Sequence, residues 1–309
     1  MSVSSPSESR APLDGILNIH KEAGWTSHDV VARIRRLAHM KRVGHAGTLD
    51  PAATGVLPVC LGGATRVVEY LSESGKAYRA TITFGVETTT YDAEGDIVAT
   101  LPLPPELDAA AIAAILPNFT GTIMQTPPIY SALKRDGKKL YELARAGIEV
   151  EIAPRPIRID ALRIVQWDAP TLVLDIECGK GTYIRSLAHD LGVVFGCGAS
   201  LAGLERTRVG PFTIAKSITL DQLALALAGD GWHDHLYAPD EALLHLHAAI
   251  LGPANEARIK FGQLLDLPTV SEQQEMLRAY SVDGRFLAIL TRKESGWQPA
   301  KVFAVVPVV

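Results

Sequence analysis

The order of strand and helix patterns is the feature that most limits the folds open to this chain. Residues 15–20, 77–86 and 172–178 carry the apolar patterns of β-strands. Residues 27–37 and 108–116 have instead the apolar spacing or the alanine-rich composition of helices. Because these segments follow no regular strand–helix–strand repeat, we predict an α+β fold with a mainly antiparallel mixed sheet.

The chain length and a change in the pattern of apolar and turn residues near the C-terminus predict two domains. A chain of 309 residues is too long for one small core. After about residue 248, short apolar runs are separated by glycine and polar turns, which predicts a small β domain over residues 248–309. Residues 1–10 are rich in serine and lack an apolar core, so we expect a disordered tail and no secretory signal. Residues 11–247 are assigned to the large domain.

The composition is that of a soluble cytoplasmic protein. Hydrophobic residues make up 47% of the chain and charged residues 21%. No stretch approaches the roughly 20 uninterrupted apolar residues that a membrane span needs. The cysteines are odd in number and widely spaced, which argues against a disulfide framework and against a cysteine zinc site; they are Cys60, Cys178 and Cys197.

Two weaker motifs do not predict ligand sites. The segment 179–182 is similar to a phosphate-binding loop, but Leu174 stands where that pattern requires glycine and Gly181 occupies the hydroxyl position. The two His-x-His pairs, at 233–235 and 245–247, have few other metal-ligating residues nearby. We therefore expect neither a nucleotide site nor a metal site.

Cations are concentrated in two stretches although the net charge is −4. Residues 31–49 contain five basic residues and no acid, and residues 125–163 contain eight basic residues against five acidic ones. Charge varies along any chain, so this pattern alone leaves an incidental origin open. It is nevertheless compatible with a phosphate-binding face, because counterion release depends on local cations and not on the overall charge.

Asp50 lies in a glycine-containing loop after the first predicted helix. Gly44 and Gly47 interrupt the helical pattern and allow a ligand to approach the backbone closely. Pro51 restricts Asp50 to an extended backbone, which fixes the direction of its carboxylate. An aspartate before proline is also ordinary turn chemistry, so this feature by itself leaves a purely structural role open.

The segment GHAGTLDPAATGVLP, residues 44–58, resembles the signature of the TruB family of pseudouridine synthases. That signature runs G-H-x-G-x-L-D-P-x-A-x-G-x-L-P, and every fixed position is present. Further segments resemble the family's motifs in the same order along the chain; they are 76–79, 125–134, 137–147, 178–185 and 204–207. The resemblance implies the pseudouridine synthase fold, followed by a C-terminal domain of PUA type.

The resemblance also implies the roles of the site residues. Asp50 would be the catalytic carboxylate, acting on the ribose either by attack at C1′ or by removal of the C2′ proton. Both routes require an ionised carboxylate, and Arg185 would hold it so. Tyr78 would stack on the flipped-out uracil and take its C5 proton. The other substrate-binding candidates are His45, Tyr183, Leu204, Lys21 and Arg66. His45 could instead be a buried structural histidine, and Lys21 and Arg66 could be either pocket-edge phosphate contacts or structural contacts.

The basic segment 125–147 corresponds to the family's RNA-gripping insertion, in which the candidates are Lys134, Lys138 and Lys139. The implied function is isomerisation of uridine 55 in the T loop of tRNA by a monomer that needs no cofactor and no obligatory protein partner. One alternative is a guide-RNA-dependent rRNA pseudouridine synthase; Leu57-Pro58 favours the bacterial, stand-alone type. A second alternative is a tRNA chaperone without chemistry, which the intact set of Asp50, Tyr78 and Arg185 argues against.

Overall fold

The computed structural model describes residues 14–131, 133–135, 137–146, 148, 150–229, 231–267 and 273–303. The predicted tail, residues 1–10, lies outside these ranges. The side chains of Lys134, Lys138 and Lys139 are likewise outside what the structure describes.

The described helices are short and lie between strands. The α-helices are α1 (Ser27–Leu37), α2 (Val68–Glu73), α3 (Ala109–Ile115), α4 (Leu140–Arg145), α5 (Ile184–Phe195), α6 (Leu220–Ala228) and α7 (Pro253–Lys260). Short 3-10 helices cover Gly62–Val67, Leu116–Phe119, Ile214–Lys216, Gly231–His235 and Pro239–Leu243.

A ten-stranded sheet forms the centre of the large domain in the described part of the chain. Its strands are β1 (Gly15–Lys21), β2 (Val43–His45), β3 (Thr54–Leu61), β4 (Lys76–Phe84), β7 (Gly121–Gln125), β10 (Arg155–Asp168), β11 (Thr171–Cys178), β12 (Ala199–Val209), β13 (Phe212–Thr213) and β14 (Leu236–Tyr237). Two separate hairpins pair β5 (Val86–Thr88) with β6 (Ile97–Thr100), and β8 (Lys134–Arg135) with β9 (Lys138–Lys139).

The main path of the large sheet runs β14-β1-β3-β12-β4-β11-β10-β7. All its neighbouring strands are antiparallel except β3 and β12, which are parallel where Thr54 pairs with Glu205 and Gly55 with Arg206. The prediction of an α+β fold with a mainly antiparallel mixed sheet is therefore confirmed. Strand β12 lies between β3 and β4, and thereby brings three sequence-distant motifs together.

Helix α1 forms where the sequence predicts it. Thr26 is the N-cap: its hydroxyl accepts from the Asp29 backbone N–H, and the Asp29 carboxylate accepts from the Thr26 N–H. This reciprocal pair is a capping box, which satisfies two backbone donors that the helix leaves free. The buried side of α1, with Val30 and Ile34, packs on strands β1 and β3, so its cations remain on the outer side.

Helix α5 carries Arg185, the predicted partner of Asp50. Leu187, Ala188 and Leu191 are buried in one core cluster with the inward side chains of β4 and β11. The helix ends at Gly196, whose φ of 68° is the left-handed conformation that glycine accommodates at helix C-termini. Because this apolar face fixes α5 on the sheet, the first turn of the helix points its side chains towards the loop that contains Asp50.

The small C-terminal β domain is present as the sheet β15-β16-β17-β18. Its strands are β15 (His247–Leu251), β16 (Met276–Ser281), β17 (Phe286–Lys293) and β18 (Gly296–Val302). Ile289 and Phe303 pack into a core cluster of the large domain that includes Val56 and Val67. This contact explains why the two sheets pack against each other.

Arg66 takes part in the same contact and lies away from the candidate pocket. Its guanidinium donates a hydrogen bond to the Val302 carbonyl on β18. This contact is structural, and a role for Arg66 at the edge of the pocket stays a prediction. A 3-10 helix starting at Gly62 turns the side chain towards the C-terminal sheet.

No described helix is long and apolar enough to cross a membrane.

Gly55 is required where β12 approaches β3. Its φ is 103°, and a Cβ at this position would lie 2.3 Å from the Arg206 carbonyl oxygen. We expect Gly55→Ala to lower the free energy of unfolding by about 2–4 kcal/mol, since it combines an unfavourable φ with overpacking. Gly229→Ala is the matched control, because its φ is −111° and a Cβ there meets nothing within 4 Å. Equal urea midpoints for the two variants would contradict this prediction.

Candidate active site

A cavity of about 830 Å³ opens at the Asp50 loop. Its walls come from this loop, from strands β4 and β12, from the loop after β5, and from the segment that leads into α5. Five of the residues predicted from the sequence line it: Asp50, Tyr78, Tyr183, Arg185 and Leu204. The topology thus joins motifs that are more than a hundred residues apart in the chain.

The backbone around Asp50 is held by hydrogen bonds on both sides. Ser27 Oγ accepts from the Leu49 N–H at 2.9 Å, and its hydroxyl donates to the Leu49 carbonyl at 3.3 Å. The Pro51 carbonyl accepts from the Gly24 N–H at 3.0 Å. Because each neighbour of Asp50 is fixed in this way, the carboxylate is held at the cavity wall even though it belongs to a loop.

Lys21 is entirely buried beneath this loop. Its ammonium donates to the carbonyls of Glu22, Trp25 and Pro51 at 3.0, 2.7 and 3.0 Å. All three of its N–H donors are used, and the side chain does not line the cavity. These contacts are structural, and a role for Lys21 as a phosphate contact at the edge of the pocket stays a prediction.

Asp50 and Arg185 form an ion pair at the cavity wall. Asp50 Oδ2 lies 3.1 Å from Arg185 Nη2, with the carboxylate side chain 47% exposed and the arginine side chain 9% exposed. The pair is therefore open to a ligand on the carboxylate side only. The planar guanidinium orients the carboxylate through this ion pair.

Three further contacts hold the Arg185 guanidinium. Nη1 lies 3.4 Å from Asp92 Oδ2, and the carbonyls of Thr90 and Tyr130 accept from Nη1 and Nη2 at 3.4 and 3.1 Å. The guanidinium therefore lies between two carboxylates and two carbonyls. Its direction is set before any substrate arrives.

Gln125 fixes Tyr183, the N-cap residue of α5. Its side-chain amide donates to the Tyr183 carbonyl at 3.0 Å and accepts from the Tyr183 N–H at 2.9 Å. The Arg155 guanidinium lies 5.2 Å from the centroid of the Tyr183 ring, within cation–π range. Ser186 Oγ also donates to the Thr126 carbonyl at 2.8 Å. The beginning of the insertion is thus bonded to the helix that carries Arg185.

Tyr78 and Lys76 point from the same face of β4 into the cavity. Burial raises the pKa of Tyr78, while the neighbouring Arg206 cation opposes that rise. Lys76 donates to the carbonyls of Ser72 and Ser74 at 2.9 and 3.0 Å, and burial lowers its pKa. Tyr78 lies directly opposite Arg206 where β4 pairs with β12.

His45 lies on β2, behind the loop, and does not line the cavity. It is partly buried, and its ring meets the ring of His28 edge-on at 5.4 Å. Burial and, next, the proximity of His28 lower the pKa of His45. The imidazole is therefore neutral at neutral pH, which suits a packing or hydrogen-bonding role more than a cationic one.

Three site residues were missed from the sequence, namely Arg206, Asp92 and Lys76. All three line the cavity. Arg206 lies two residues after Leu204 on β12, and Lys76 lies two residues before Tyr78 on β4. Side chains two residues apart on a strand share a face, and this alternation was the signal that could have found both residues. Asp92 has no such signal, because it lies in a loop that only the fold brings to Arg185.

Within the described ranges, no three His, Cys, Asp or Glu side chains are grouped so that they could hold a metal ion. His233, one of the His-x-His residues, instead packs its ring on Trp232 with centroids 3.5 Å apart.

The burial of Lys21 has a pH-dependent consequence. Burial lowers its pKa from 10.5 to about 8. Between these values the unfolded chain binds the proton more tightly than the folded chain, so this lysine makes the free energy of unfolding rise with pH. The rise is at most about 1.4 kcal/mol per pH unit.

We expect Lys21→Met to lose this contribution, which urea unfolding at several pH values between about 8 and 10.5 would measure. Lys293→Met removes an exposed lysine and serves as the control. Identical pH slopes for wild type and Lys21→Met would show that the ammonium is not desolvated as the structure indicates.

Comparison with known proteins shows two family domains and near-complete relatives. Residues 35–184 match the TruB family pseudouridylate synthase N-terminal domain, and residues 185–257 match the tRNA pseudouridylate synthase B C-terminal domain. A protein of Dehalococcoides mccartyi named tRNA pseudouridine synthase B is 44% identical over 94% of this chain and 97% of its own. A Burkholderia mallei protein of the same name is 42% identical over 96% of each chain.

Solved structures share the fold. The chain is similar to one described as "Crystal Structure of a Cbf5-Nop10-Gar1 Complex", with a TM-score of 0.73, 26% identity, and coverage of 94% of this chain and 85% of the other. A structure of an H/ACA RNP bound to a substrate RNA containing 2′-deoxyuridine matches with a TM-score of 0.73 at 24% identity, covering 94% and 86%. The two matched domains and the near-complete relatives show that the chain belongs to the TruB family of pseudouridylate synthases.

Proposed function

We propose that this protein is a cytoplasmic enzyme that isomerises uridine 55 to pseudouridine in the T loop of tRNA. The observation that carries the proposal is the Asp50–Arg185 ion pair at the wall of a cavity that also contains Tyr78 and Tyr183. Relatives at 42–44% identity are named tRNA pseudouridine synthase B, which supports tRNA as the substrate.

The reaction breaks the C1′–N1 glycosidic bond, turns the uracil, and forms a C1′–C5 bond. The proton on C5 leaves and N1 gains a proton, so the reaction is an isomerisation and consumes no other reactant. A base in a folded RNA loop must first leave its stack to reach a catalytic group. Two tyrosines in one cavity suit a flipped base, since base–aromatic stacking contributes roughly 1–3 kcal/mol per base.

Asp50 starts this sequence as an ionised carboxylate. Attack on C1′ gives a covalent sugar–carboxylate intermediate, whereas removal of the C2′ proton gives an unsaturated sugar; both release the uracil anion. The half-exposed carboxylate beside a nearly buried guanidinium supports either route, because Asp50 lines the cavity and keeps part of its surface open. A deuterium at C2′ separates them, since only the second route breaks that bond.

Tyr78 stacks on the uracil and takes the proton that leaves C5 after the new bond has formed, while its own phenolic proton passes through solvent to N1. Burial opposes ionisation of the phenol, and the Arg206 cation favours it. The proton transfer restores the aromatic character of the base. Leu204, on the neighbouring strand, supplies an apolar wall for the ring.

The enzyme acts alone and as a monomer in this proposal. The Cbf5-Nop10-Gar1 complex contains two proteins besides the one similar to this chain, which fits the alternative of a guide-dependent synthase. The similar protein, however, is only 26% identical to this chain. The relatives at 42–44% identity cover almost the whole chain and support the stand-alone activity. Purified protein incubated with an unmodified tRNA transcript tests this directly: modification at position 55 without a guide RNA supports the proposal.

The role of Asp50 is tested with Asp50→Asn, which keeps the shape of the side chain and removes its charge. We expect no detectable pseudouridine at nucleotide resolution, with tRNA affinity within about tenfold of wild type, because binding is dominated by phosphate contacts. Asp221→Asn alters an exposed carboxylate on α6 and serves as the control. Retained turnover in Asp50→Asn would exclude the mechanism, and absent turnover in wild type would exclude the function.

The insertion at residues 125–147 is proposed to grip the RNA through Lys134, Lys138 and Lys139. Charge reversal of Lys138 and Lys139 to Glu should weaken tRNA binding and reduce the slope of log K against log salt by about one for each lost phosphate contact. Lys216→Glu reverses an exposed cation outside the insertion and is the control. If the affinity and the slope equal those of the control, the insertion does not contact phosphates.

A further inference from the structure

Arg206 is the most deeply buried arginine among the described residues, with 1% of its surface exposed. It lies on β12, two residues after Leu204, and lines the cavity. Taking a charge out of water is costly unless hydrogen bonds replace the lost hydration. The hydrogen bonds of Arg206 must therefore replace the hydration that its buried charge has lost.

The hydrogen bonds of Arg206 in the described structure go to backbone carbonyls of two neighbouring segments. Nε donates to the Val56 carbonyl on β3 at 2.8 Å. Nη2 and Nη1 donate to the carbonyls of Gly47 and Thr48 at 3.0 and 3.3 Å. The guanidinium thus links strand β3 to Gly47 and Thr48, which lie just before Asp50 in the chain.

The same guanidinium also reaches Tyr78. Tyr78 is the cross-strand partner of Arg206 in the β4–β12 register, and its hydroxyl lies within hydrogen-bond reach of the guanidinium. Both side chains line the cavity. Arg206 is therefore in contact with the proposed proton acceptor on one side and with the loop of the proposed catalytic carboxylate on the other.

Two glycines make this arrangement possible. Gly55 allows the backbone of Arg206 to approach β3, because a Cβ there would lie 2.3 Å from the Arg206 carbonyl oxygen. Gly47, with a φ of 93°, turns its carbonyl towards the guanidinium, and a Cβ at this position would lie 3.6 Å from Nη1. Both belong to the motif around Asp50, so the motif is shaped to receive Arg206.

We propose that Arg206 is a positioning residue that holds the Tyr78 hydroxyl and the Asp50 loop in a fixed relation to each other. The planar guanidinium has five donors in fixed directions, which suits acceptors on several segments, whereas a lysine has three donors on one flexible atom. The inference rests on the proposed function, because it assigns the two held residues to two steps of that reaction.

The test is Arg206→Lys, which keeps the charge and removes the fork of donors. Arg208→Lys is the matched control: it lies on the same strand, pairs with Glu177 at 2.9 Å, and does not line the cavity. A second control, Leu223→Ala in α6, lowers stability through a buried residue far from the cavity. For each protein, the thermal midpoint, kcat and KM would be measured with an unmodified tRNA transcript.

We expect Arg206→Lys to lower kcat about 100-fold, with KM within about threefold of wild type, since small displacements of reacting groups cost this much in rate. Both controls should retain kcat within about threefold, including the destabilised Leu223→Ala. A normal kcat for Arg206→Lys, or a kcat loss equal to that of Leu223→Ala at the same thermal midpoint, would overturn the inference.

A transcript with deuterium at C5 of the target uridine tests the link to Tyr78. If Arg206 positions the proton acceptor, the isotope effect on kcat rises in Arg206→Lys because proton removal becomes more rate-limiting. An isotope effect equal to that of wild type would overturn this link. Failure of wild-type protein to form pseudouridine would instead refute the proposed function, so the two failures are distinguishable.

Discussion

The ion pair between Asp50 and Arg185 is the contact on which the rest of the site depends. The arginine is nearly buried and the aspartate is half exposed, so the carboxylate keeps one open side. Asp92 and two backbone carbonyls hold the guanidinium from behind. Because groups other than Asp50 hold the guanidinium, Arg185 stays in place when the carboxylate changes its bonding during a reaction.

Buried cations that bond to carbonyls give the Asp50 loop its rigidity. Lys21 lies beneath the loop on one side and Arg206 on the other, and each donates to backbone carbonyls of neighbouring segments. Loops are ordinarily the mobile part of a fold, since few of their backbone groups are bonded. Here the side chains of β1 and β12 supply those bonds, at the cost of desolvating two charges.

Much of the fold and part of the site could be predicted from the sequence. The strand around Tyr78 alternates with a period of two, and Thr26 with Asp29 marks the beginning of α1, so local patterns were sufficient there. The contacts that Lys21 and Arg66 make could not be predicted from the sequence, for a physical reason. A sequence pattern locates a cation on a strand or turn, but whether it faces a cavity or a neighbouring carbonyl depends on what packs beside it.

The sequence by itself determined the α+β class, the family resemblance, and the choice of Asp50 as the candidate carboxylate, since all three depend on local residue order. The resemblance also implied the pairing of Asp50 with Arg185, but only the tertiary structure decided which further side chains surround that pair. Arg185, Asp92 and Arg206 come from three distant segments, and their approach follows from the register of β12 between β3 and β4 and from the packing of α5 on the sheet. Register and packing are set by the whole core, which no short stretch of sequence contains.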